Sequence, residues 1–545
     1  MEENELKCEK FMAWIFVLIF AIILAGCSAE AEPAANENLG KLTVPVETIS
    51  LDKSDENFSY YDLTVQEELQ QQLNGLKEKK NYTFKEPLLV MNPYGTNTTG
   101  LYLYFEEESS SSLSYTVSVD GSSDFTKTAK DANKDETQAE YQLIGLVPGE
   151  ENNVSFTYKQ EDGSTMIYEF TVTAPKSQSG YPIEMVQTEK AEDAELSDGL
   201  FYTLGTDGYA GYSYVFDNEG TMRAELITED YRTDRMVFYE ETLITAITDS
   251  MLARIDSLGK IVDIYQLEGF NLHHDIALNE NGQLIVLATD QAKNSVEDVV
   301  LSLDLETGEY KKLLDFDDLM GSYKEMTAPV SDEKSSTWDW LHYNSIDLAG
   351  QDSMILSSRE TSAIMKISGI YDNPAIDYLI GNEGVWAGTE FEDKLLTKSG
   401  DFEGQSGQHS VTYLEDDSLP EGQYYLYMFN NNYWWYLSRP DYDGPTNAKA
   451  SLAREANEED HSQFYKYLVD EKAGTYQLVQ QFDVPYSSIV SSAQIYGDSI
   501  IIDSGVSKIL GEYDTEGNLL AQFPYEADRF TYRIFKDTFE GYWFE

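Results

Sequence analysis

Apolar and polar residues alternate in short runs along most of the chain, which is the pattern of β-strands with one buried and one exposed face. Clear examples are LYLYFEEE (101–108), LSYTVSVD (113–120), NVSFTYKQ (153–160) and MIYEFTVTA (166–174). Only residues 67–80 carry a helical pattern. The sequence therefore predicts an all-β fold.

Two kinds of β-pattern divide the chain. Residues 56–176 show short strands with polar loops, which predicts a small N-terminal β-sandwich domain. Residues 177–545 repeat one hairpin, in which two strands flank a polar, mostly acidic turn that ends in glycine. These turns are DNEG (217–220), DSLG (256–259), NENG (279–282), DLETG (304–308) and DTEG (514–517).

Self-similar hairpins over such a length predict a β-propeller. At about 60 residues per four-stranded blade, six blades fit into the second part of the chain. The alternative is a pair of further β-sandwiches, but the single family of hairpin turns favours the six-bladed propeller.

The strongly negative net charge limits the classes of molecule that the protein can bind. The 545 residues include 98 acidic and 37 basic side chains, for a formal net charge of −61. Such a surface repels nucleic acid and anionic lipid headgroups, so nucleic-acid binding is excluded.

The N-terminus resembles a bacterial lipoprotein signal. The apolar run FMAWIFVLIFAIILA (11–25) leads into LAGC (24–27), which is similar to a lipobox. Residues 1–27 are thus predicted to be a signal peptide, Cys27 the lipidated residue, and residues 28–55 an acidic linker. The bulk of the chain would then lie outside the cytoplasm, lipid-anchored to the bacterial cell membrane. An uncleaved anchor is the alternative, because the first ten residues hold four glutamates against two lysines.

Cysteine chemistry is confined to this N-terminal segment. The chain has two cysteines, Cys8 and Cys27. The exported portion therefore has no thiol for a disulfide, a thiolate nucleophile or a Cys–zinc site.

The stretch DWLHYNSIDLAGQDSMILSSR (339–359) predicts a strand, a tight turn and a returning strand. Alternate strand residues share a face, so His342 and Asn344 are predicted to point the same way. Arg359 ends the second strand. An imidazole, an amide and a guanidinium brought together in this way would hold an oxyanion. The alternative is an ordinary hairpin with a packed histidine.

The other histidines strengthen the functional hypothesis. The segments that begin at His273, His342 and His409 share one order: polar head, short strand, polar turn, second strand. Aligning Ile276, Ile346 and Val411 puts His274, Asn344 and His409 at equivalent positions. Four of the five histidines thus lie at the heads of similar hairpins, whereas the fifth, His461, lies elsewhere.

Together these segments resemble the bacterial aryl-sulfate sulfotransferase (arylsulfotransferase) family over most of the exported chain. DWLHYNSID…ILSSR is the most specific piece. The others are NPYGTNTTGLYLYF (92–105), HHDIALNENGQLIVL (273–287), GQHS (407–410) and SSAQIYGDSIIIDSG (491–505).

The resemblance implies an N-terminal β-sandwich on a six-bladed propeller with the site in its central channel. It implies transfer of a sulfuryl group from an aryl sulfate donor to a phenolic acceptor, without a nucleotide sulfate donor, through a sulfohistidine at His409. His342, Asn344 and Arg359 match other site positions of the family, and one of the pair His273 and His274 matches a further histidine. We favour His274 from the repeat alignment.

Secondary expectations follow from the same resemblance. His273 and Tyr94 are candidates for contacting substrate, although Tyr94 in NPYG also fits a plain turn. No cofactor or metal is required, and the oligomeric state stays open between monomer and homodimer.

Two other functions compete with the transferase. One is a non-catalytic cell-surface propeller that binds a ligand or partner, for which the histidine–arginine cluster would be unnecessary. The other is a zinc site built from the histidines. Arg359 argues against zinc, because a guanidinium repels a cation.

Overall fold

A computed structural model describes residues 36–51, 53–54, 58–106, 112–133, 137–160, 163–192, 194–229, 231–331, 336–434, 436–439, 441–442, 451 and 460–545. The predicted signal peptide, with Cys27, lies outside these residues. The described part is nearly all β, as predicted. None of its helices combines the length and the apolar character needed to cross a bilayer.

The first part of the chain forms two sheets. Its strands are β1 (Asn36–Lys41), β2 (Val46–Thr48), β3 (Leu88–Met91), β4 (Leu101–Glu106), β5 (Ser112–Ser118), β6 (Phe125–Ala129), β7 (Gln138–Leu143), β8 (Glu151–Lys159) and β9 (Thr165–Thr173). One sheet has the order β1-β9-β8-β5-β6 and the other β2-β3-β4-β7. β1 and β2 lie within residues 28–55, where a linker was expected; their pairing with β9 and β3 makes them part of these sheets.

These two sheets share one apolar core, as in a β-sandwich. Phe105 of β4 meets Tyr158 of β8 edge to face, with ring centroids 5.3 Å apart. A helix, α1 (Leu63–Lys77), lies close to the predicted helical stretch. Asp62 caps it by accepting a hydrogen bond from the Thr64 amide.

The second part of the chain supplies the remaining strands. They are β10 (Glu189–Lys190), β11 (Leu200–Thr206), β12 (Tyr212–Phe216), β13 (Met222–Ile227), β14 (Met236–Tyr239), β15 (Thr242–Ala246), β16 (Met251–Asp256), β17 (Ile261–Gln266), β18 (Phe270–Leu278), β19 (Gln283–Asp290), β20 (Val299–Asp304), β21 (Tyr310–Asp315), β22 (Val330–Ser331), β23 (Ser336–Thr337), β24 (Tyr343–Leu348), β25 (Ser353–Ser358), β26 (Ala363–Ser368), β27 (Ala375–Ile380), β28 (Thr397–Lys398), β29 (His409–Leu414), β30 (Gln423–Asn430), β31 (His461–Asp470), β32 (Thr475–Pro485), β33 (Ser492–Tyr496), β34 (Ser499–Ser504), β35 (Ile509–Asp514), β36 (Leu519–Pro524) and β37 (Thr531–Asp537).

These strands form six sheets of the size of propeller blades. Their orders are β13-β12-β11-β37, β14-β15-β16-β17, β18-β19-β20-β21, β24-β25-β26-β27, β28-β32-β31-β30-β29 and β10-β36-β35-β34-β33. A small hairpin, β22 with β23, stands apart from them. The last strand, β37, pairs with β11, so the two ends of this part of the chain meet in one blade.

One edge strand of each blade contacts an edge strand of the next blade, and these contacts continue from blade to blade. β14 contacts β18, β18 contacts β24, β24 contacts β29, β29 contacts β33, and β33 contacts β37. From β37 the path returns to the second blade, because the Arg235 guanidinium lies 4.7 Å from the Phe535 ring centroid. The prediction of an all-β chain with a six-bladed propeller after a β-sandwich is confirmed.

Short helices in the second part were not predicted. They are α2 (Phe316–Lys324), α3 (Glu383–Trp386) and a 3-10 turn (Glu392–Lys394). The Asp315 side chain caps α2 through the Asp317 amide. At nine residues or fewer, such helices give too little periodicity to stand out from strand patterns.

The repeated turns have a common internal structure. In the turn at 256–259, the Asp256 side chain accepts hydrogen bonds from the amides of Leu258 and Lys260, at 3.0 and 2.8 Å. Gly259 has φ of +87°, and a Cβ there would lie 2.8 Å from Thr96 Oγ1 of the sandwich. Thr96 also donates a hydrogen bond to the Gly259 carbonyl, so this turn docks the sandwich on the second blade.

Candidate functional site

Four of the predicted site residues meet at one cavity of about 330 Å³. They are His274, His342, Arg359 and His409. The cavity is also lined by Arg232, Tyr433, Ile489, Val490, Arg529, Phe530 and Tyr532. A larger cavity, of about 680 Å³, lies in the sandwich and is lined by Phe84, Phe105 and Tyr158 among others. Its described lining includes no histidine or arginine, so the smaller cavity is the candidate site.

Irregular backbone delivers the histidines to the cavity. Non-glycine residues have left-handed backbone at His274 (φ +60°), His342 (φ +51°) and Ser410 (φ +55°). Register shifts interrupt the pairing of β18 and β29 at the same places, and that of β24 just after His342, between Tyr343 and Ser345. Each such conformation costs about 1–3 kcal/mol and collects at functional sites. A bulge re-aims a side chain that strict alternation would turn elsewhere.

The His409 ring is held in one tautomer. Its Nδ1 lies 2.8 Å from Asn431 Oδ1 and 3.0 Å from the Gly407 carbonyl, and both are acceptors. The Asn431 amide donates to the carbonyls of Ser487 and Val490, which fixes its oxygen toward the histidine. Nδ1 therefore carries the hydrogen, and the lone pair of Nε2 is free.

The charge state of His409 follows from its surroundings. Burial lowers the pKa of His409 well below its ordinary value. The hydrogen bond to Asn431 raises the pKa, but the charge of His342 and Arg359 lowers it again. The imidazole is thus neutral at physiological pH, as a nucleophile must be.

His342 has the opposite environment. Its Nδ1 lies 2.6 Å from Asp339 Oδ2 and 2.8 Å from Glu297 Oε2. Burial and Arg359 lower the pKa of His342, but Asp339 and Glu297 more than offset them and raise it to about 9. The site therefore pairs a neutral imidazole with a charged one.

The structure separates the two adjacent histidines. His274 lines the cavity and stacks on the Tyr532 ring, with centroids 5.5 Å apart and planes 12° apart. His273 is not among the described lining residues; it faces a small pocket beside Tyr231 and Asp234. Burial lowers the pKa of His273 to about 4, so it is neutral there.

Arg359 reaches the cavity from the predicted hairpin. Its amide donates to the His342 carbonyl at 3.1 Å, so the hairpin of β24 and β25 joins these two residues. The guanidinium lies 3.5 Å from Asp339 and 3.7 Å from Glu360. It is a fixed, forked donor beside a charged imidazole, which suits a small oxyanion.

Asn344 is placed differently from the expectation. Its side chain is fully buried, is not among the described cavity-lining residues, and donates from Nδ2 to the Gln408 carbonyl at 2.8 Å. The left-handed backbone of His342 breaks the strand alternation between the two residues. Asn344 thus braces the backbone just before His409.

Tyr94 lies in the sandwich domain, away from this cavity. It is buried, and its hydroxyl donates to Gln70 of α1 at 3.0 Å. The structure therefore brings neither Tyr94 nor His273 to the cavity wall.

Several residues of the site were missed by sequence reasoning. Arg232 lies 4.8 Å from the Tyr532 ring centroid and pairs with Asp234, while Arg529 pairs with Asp207. Both come from irregular segments without a repeat signal. The RFTYR stretch at 529–533, which puts two arginines among three ring-bearing or hydroxyl side chains, is a local cue that was available.

A buried ion pair supports the site from behind. Arg533 of β37 bonds both oxygens of Asp275, at 2.7 and 3.1 Å, and donates to the Asn344 carbonyl at 2.9 Å. Asp275 also accepts a hydrogen bond from the Ile346 amide. Three blades are thereby tied together next to His274 and Asn344.

The same cluster can be tested as a cation site. Donor atoms of His273, His274 and Glu297, and those of Glu297, Asp339 and His342, lie within 4.8 Å of one another. The Arg359 guanidinium stands 3.5 Å from Asp339, however, and a cation would be repelled there. The donor set fits a shared proton better than a metal ion.

Comparisons with known proteins bear on the same part of the chain. The family model "Arylsulfotransferase (ASST)" matches residues 185–534, and "Arylsulfotransferase Ig-like domain" matches residues 88–175. No curated protein matches.

Solved structures resemble the chain only distantly. A chain of a nidogen–laminin complex is 10% identical, covers 62% of this chain and 97% of its own length, and has a TM-score of 0.35. A putative 6-phosphogluconolactonase from Bacteroides uniformis is 12% identical, with 78% and 99% covered and a TM-score of 0.35. The first family model, by contrast, matches more than half of the chain and contains all the residues at the cavity. This chain belongs to the arylsulfotransferase family.

Proposed function

We propose that this protein moves a sulfuryl group from a phenolic sulfate ester to a phenol by a ping-pong mechanism, through a sulfohistidine at His409 and without a nucleotide sulfate donor. The observation that carries the proposal is the meeting of His409, His342, His274 and Arg359 at one cavity in an arylsulfotransferase chain.

The cavity has the character of an aryl sulfate site. Its volume of about 330 Å³ suits a single aromatic ring with its ester group. Phe530, Tyr532, Ile489 and Val490 offer an apolar wall for the ring. Arg359 offers paired donors for the sulfuryl oxygens.

In the first half-reaction, Nε2 of His409 attacks sulfur as the bond to the aryl oxygen breaks. The bond electrons pass to the departing oxygen, which takes a proton from His342 or His274. The transition state is loose, as in phosphoryl transfer, so fixed positive charge around the oxygens stabilises it.

In the second half-reaction the acceptor phenol replaces the donor phenol. The histidine that gave up its proton now takes the acceptor's proton, while the acceptor oxygen attacks sulfur and frees His409. No step requires a metal or an organic cofactor.

The acidic surface does not prevent an anionic donor from binding. At physiological ionic strength the screening length is about 8 Å, so the field of distant carboxylates is weak inside the cavity. Arg232, Arg359 and Arg529 lie at the cavity itself and act over shorter distances.

We also place the protein outside the cytoplasm, anchored to the bacterial membrane by lipid on Cys27. Support for this location comes from the sequence LAGC (24–27) and the apolar run before it.

A chromogenic aryl sulfate assay tests the function. With 4-nitrophenyl sulfate as the donor, we expect slow release of 4-nitrophenol when no acceptor is present. Added phenol should speed this release and give phenyl sulfate as the second product. Binding of the donor without turnover would instead favour a ligand-binding propeller. Hydrolysis of the donor at a rate that added phenol does not change would contradict the transferase.

A further inference from the structure

Glu297 stands behind the two histidines of the cavity rather than in its wall. It belongs to the loop between β19 and β20, has left-handed backbone (φ +58°), and its amide donates to Thr289 Oγ1 at 2.8 Å. It is not among the described residues that line the cavity. The proposed transfer to His409 gives it no role.

The carboxylate of Glu297 touches both rings. Its Oε2 lies 2.8 Å from Nδ1 of His342 and 3.3 Å from Nε2 of His274. The two rings are close neighbours, with centroids 5.0 Å apart. Glu297 is thus the group that joins the histidine pair.

A second carboxylate approaches the same atom of His342. Asp339 Oδ2 lies 2.6 Å from Nδ1. Two ionised carboxylates around one ring nitrogen are tolerable only if that nitrogen carries a hydrogen and the ring carries a positive charge. With Nδ1 committed in this way, the N–H of Nε2 remains for a substrate at the cavity.

The charged and titratable groups around the His342 ring come from several elements. They are His273 and His274 of β18, Glu297 of the β19–β20 loop, Asp339 before β24, Arg359 after β25 and His409 of β29. The two carboxylates are the groups among these that favour a proton on His342. The two also differ, because the Arg359 guanidinium lies 3.5 Å from Asp339 and partly neutralises it.

We propose that Glu297 is a positioning residue that keeps His342 as the proton donor to the departing aryl oxygen, so that the site accepts sulfates of weakly acidic phenols. The inference rests on the proposed transfer to His409. As the sulfur–oxygen bond breaks and the sulfur–nitrogen bond forms, the bond electrons go to oxygen and the proton goes from Nε2 of His342 to that oxygen. The donor phenol leaves neutral, and the neutral His342 can take the acceptor's proton later.

The choice of leaving group makes this testable. A sulfate of an acidic phenol, such as 4-nitrophenyl sulfate, releases a stable phenolate and needs little protonation. Phenyl sulfate releases a phenol with a pKa of about 10, which needs a proton. Loss of the proton donor should therefore slow transfer from phenyl sulfate far more than transfer from 4-nitrophenyl sulfate.

The experiment compares Glu297→Gln with wild type on both donors, with 1-naphthol as the common acceptor and release of each donor's phenol measured by product analysis. Above about pH 9, where this variant should cut the protonated fraction of His342 by up to about tenfold, we expect the rate with phenyl sulfate to fall by up to about tenfold more than the rate with 4-nitrophenyl sulfate. In wild type, the phenyl sulfate rate should fall as pH rises through about 9, because His342 then loses its proton. In Glu297→Gln this fall should move about one unit lower, since one carboxylate charge is gone.

Glu240→Gln is the matched control. Glu240 also has left-handed backbone (φ +52°), but it pairs with Arg254 at 3.2 Å and lies outside the cavity lining. The Glu240→Gln variant should leave the rates with both donors unchanged. Asp339→Asn, at the second carboxylate, should act in the same direction as Glu297→Gln and serves if that variant does not fold.

If Glu297→Gln lowered the rates with both donors equally and left the pH profile unchanged, Glu297 would have a structural role only. That result would overturn the inference and leave the proposed transferase function intact. Zinc bound by wild type and lost in Glu297→Gln would also overturn it. Wild type inactive on both donors would instead remove the proposed function, and this inference with it.

Discussion

At the scale of single residues, the site holds two histidine side chains in different charge states, one neutral and one positively charged. Asn431 and the Gly407 carbonyl hold His409 by one nitrogen, and burial keeps it neutral. Asp339 and Glu297 keep His342 charged. Titratable groups whose pKa values are pushed apart in this way can divide the nucleophile and acid roles between them.

Arg359 tests the anion-binding part of this arrangement. Arg359→Lys keeps the positive charge but loses the two-pronged geometry for the sulfuryl oxygens. We expect turnover of 4-nitrophenyl sulfate to fall at least about tenfold, equivalent to roughly 1.4 kcal/mol of barrier. Unchanged turnover would mean that Arg359 only supports the hairpin, and a thermal unfolding measurement would show whether stability had changed instead.

At the scale of elements, hairpins were predictable and their distortions were not. The hairpin of residues 339–359 appears as β24 and β25 because strand periodicity and turn residues are local signals. The irregular backbone at His274, His342 and Ser410 lies within or directly beside strands whose alternating sequence pattern gives no sign of it. Asn344 lies on its predicted strand, but its side chain bonds the Gln408 carbonyl and is not among the described cavity-lining residues.

Local sequence patterns also did not predict the residues that complete the site. Glu297, Asn431 and Arg232 come from loops or strand ends of three different blades. Nothing in their own segments distinguishes them from other polar residues. The four cavity residues that were predicted share a repeat position or a family motif, which is why they were found.

Gly407 controls the path of the backbone into His409. It has φ of +63°, and a Cβ there would lie 2.7 Å from the Tyr433 carbonyl oxygen. Gly407→Ala should shift the segment that leads into His409 and lower turnover at least about tenfold, because misplaced reacting groups are costly. The measurement is the rate of 4-nitrophenol release alongside a urea unfolding curve.

Gly474→Ala is the control for backbone strain alone. Gly474 has φ of +67° with nothing within 4 Å of a Cβ. This variant should lose about 1 kcal/mol of stability yet keep wild-type turnover. If both alanine variants kept full turnover, the close packing before His409 would have no bearing on catalysis.

At the scale of the whole molecule, the ring of blades brings distant segments to one cavity. Arg533 comes from the last strand and Asp275 from the third blade, and their ion pair has less than a tenth of either side chain exposed. Removing one partner of such a pair leaves a buried charge, at a cost of about 3–5 kcal/mol. The pairing of β37 with β11 places this contact, so the C-terminal strand is part of the site's support.

The proposed location at the membrane rests on the N-terminal sequence. Cys27→Ala should yield protein without lipid and with altered retention at the membrane, because LAGC (24–27) resembles a lipobox. Intact mass and membrane fractionation of wild type and variant are the measurements. A mass difference of only the cysteine-to-alanine exchange, with an unchanged distribution, would contradict the lipoprotein and favour an uncleaved anchor, without affecting the site.

The central claim is that His409 carries the sulfuryl group between donor and acceptor. Wild-type protein mixed with 4-nitrophenyl sulfate and no acceptor should gain the mass of one sulfuryl group on the peptide containing residues 407–410, and added phenol should remove it. His409→Asn should stay folded and show neither label nor turnover. A label on a peptide with His342 or His274, or full activity without any label, would contradict the account.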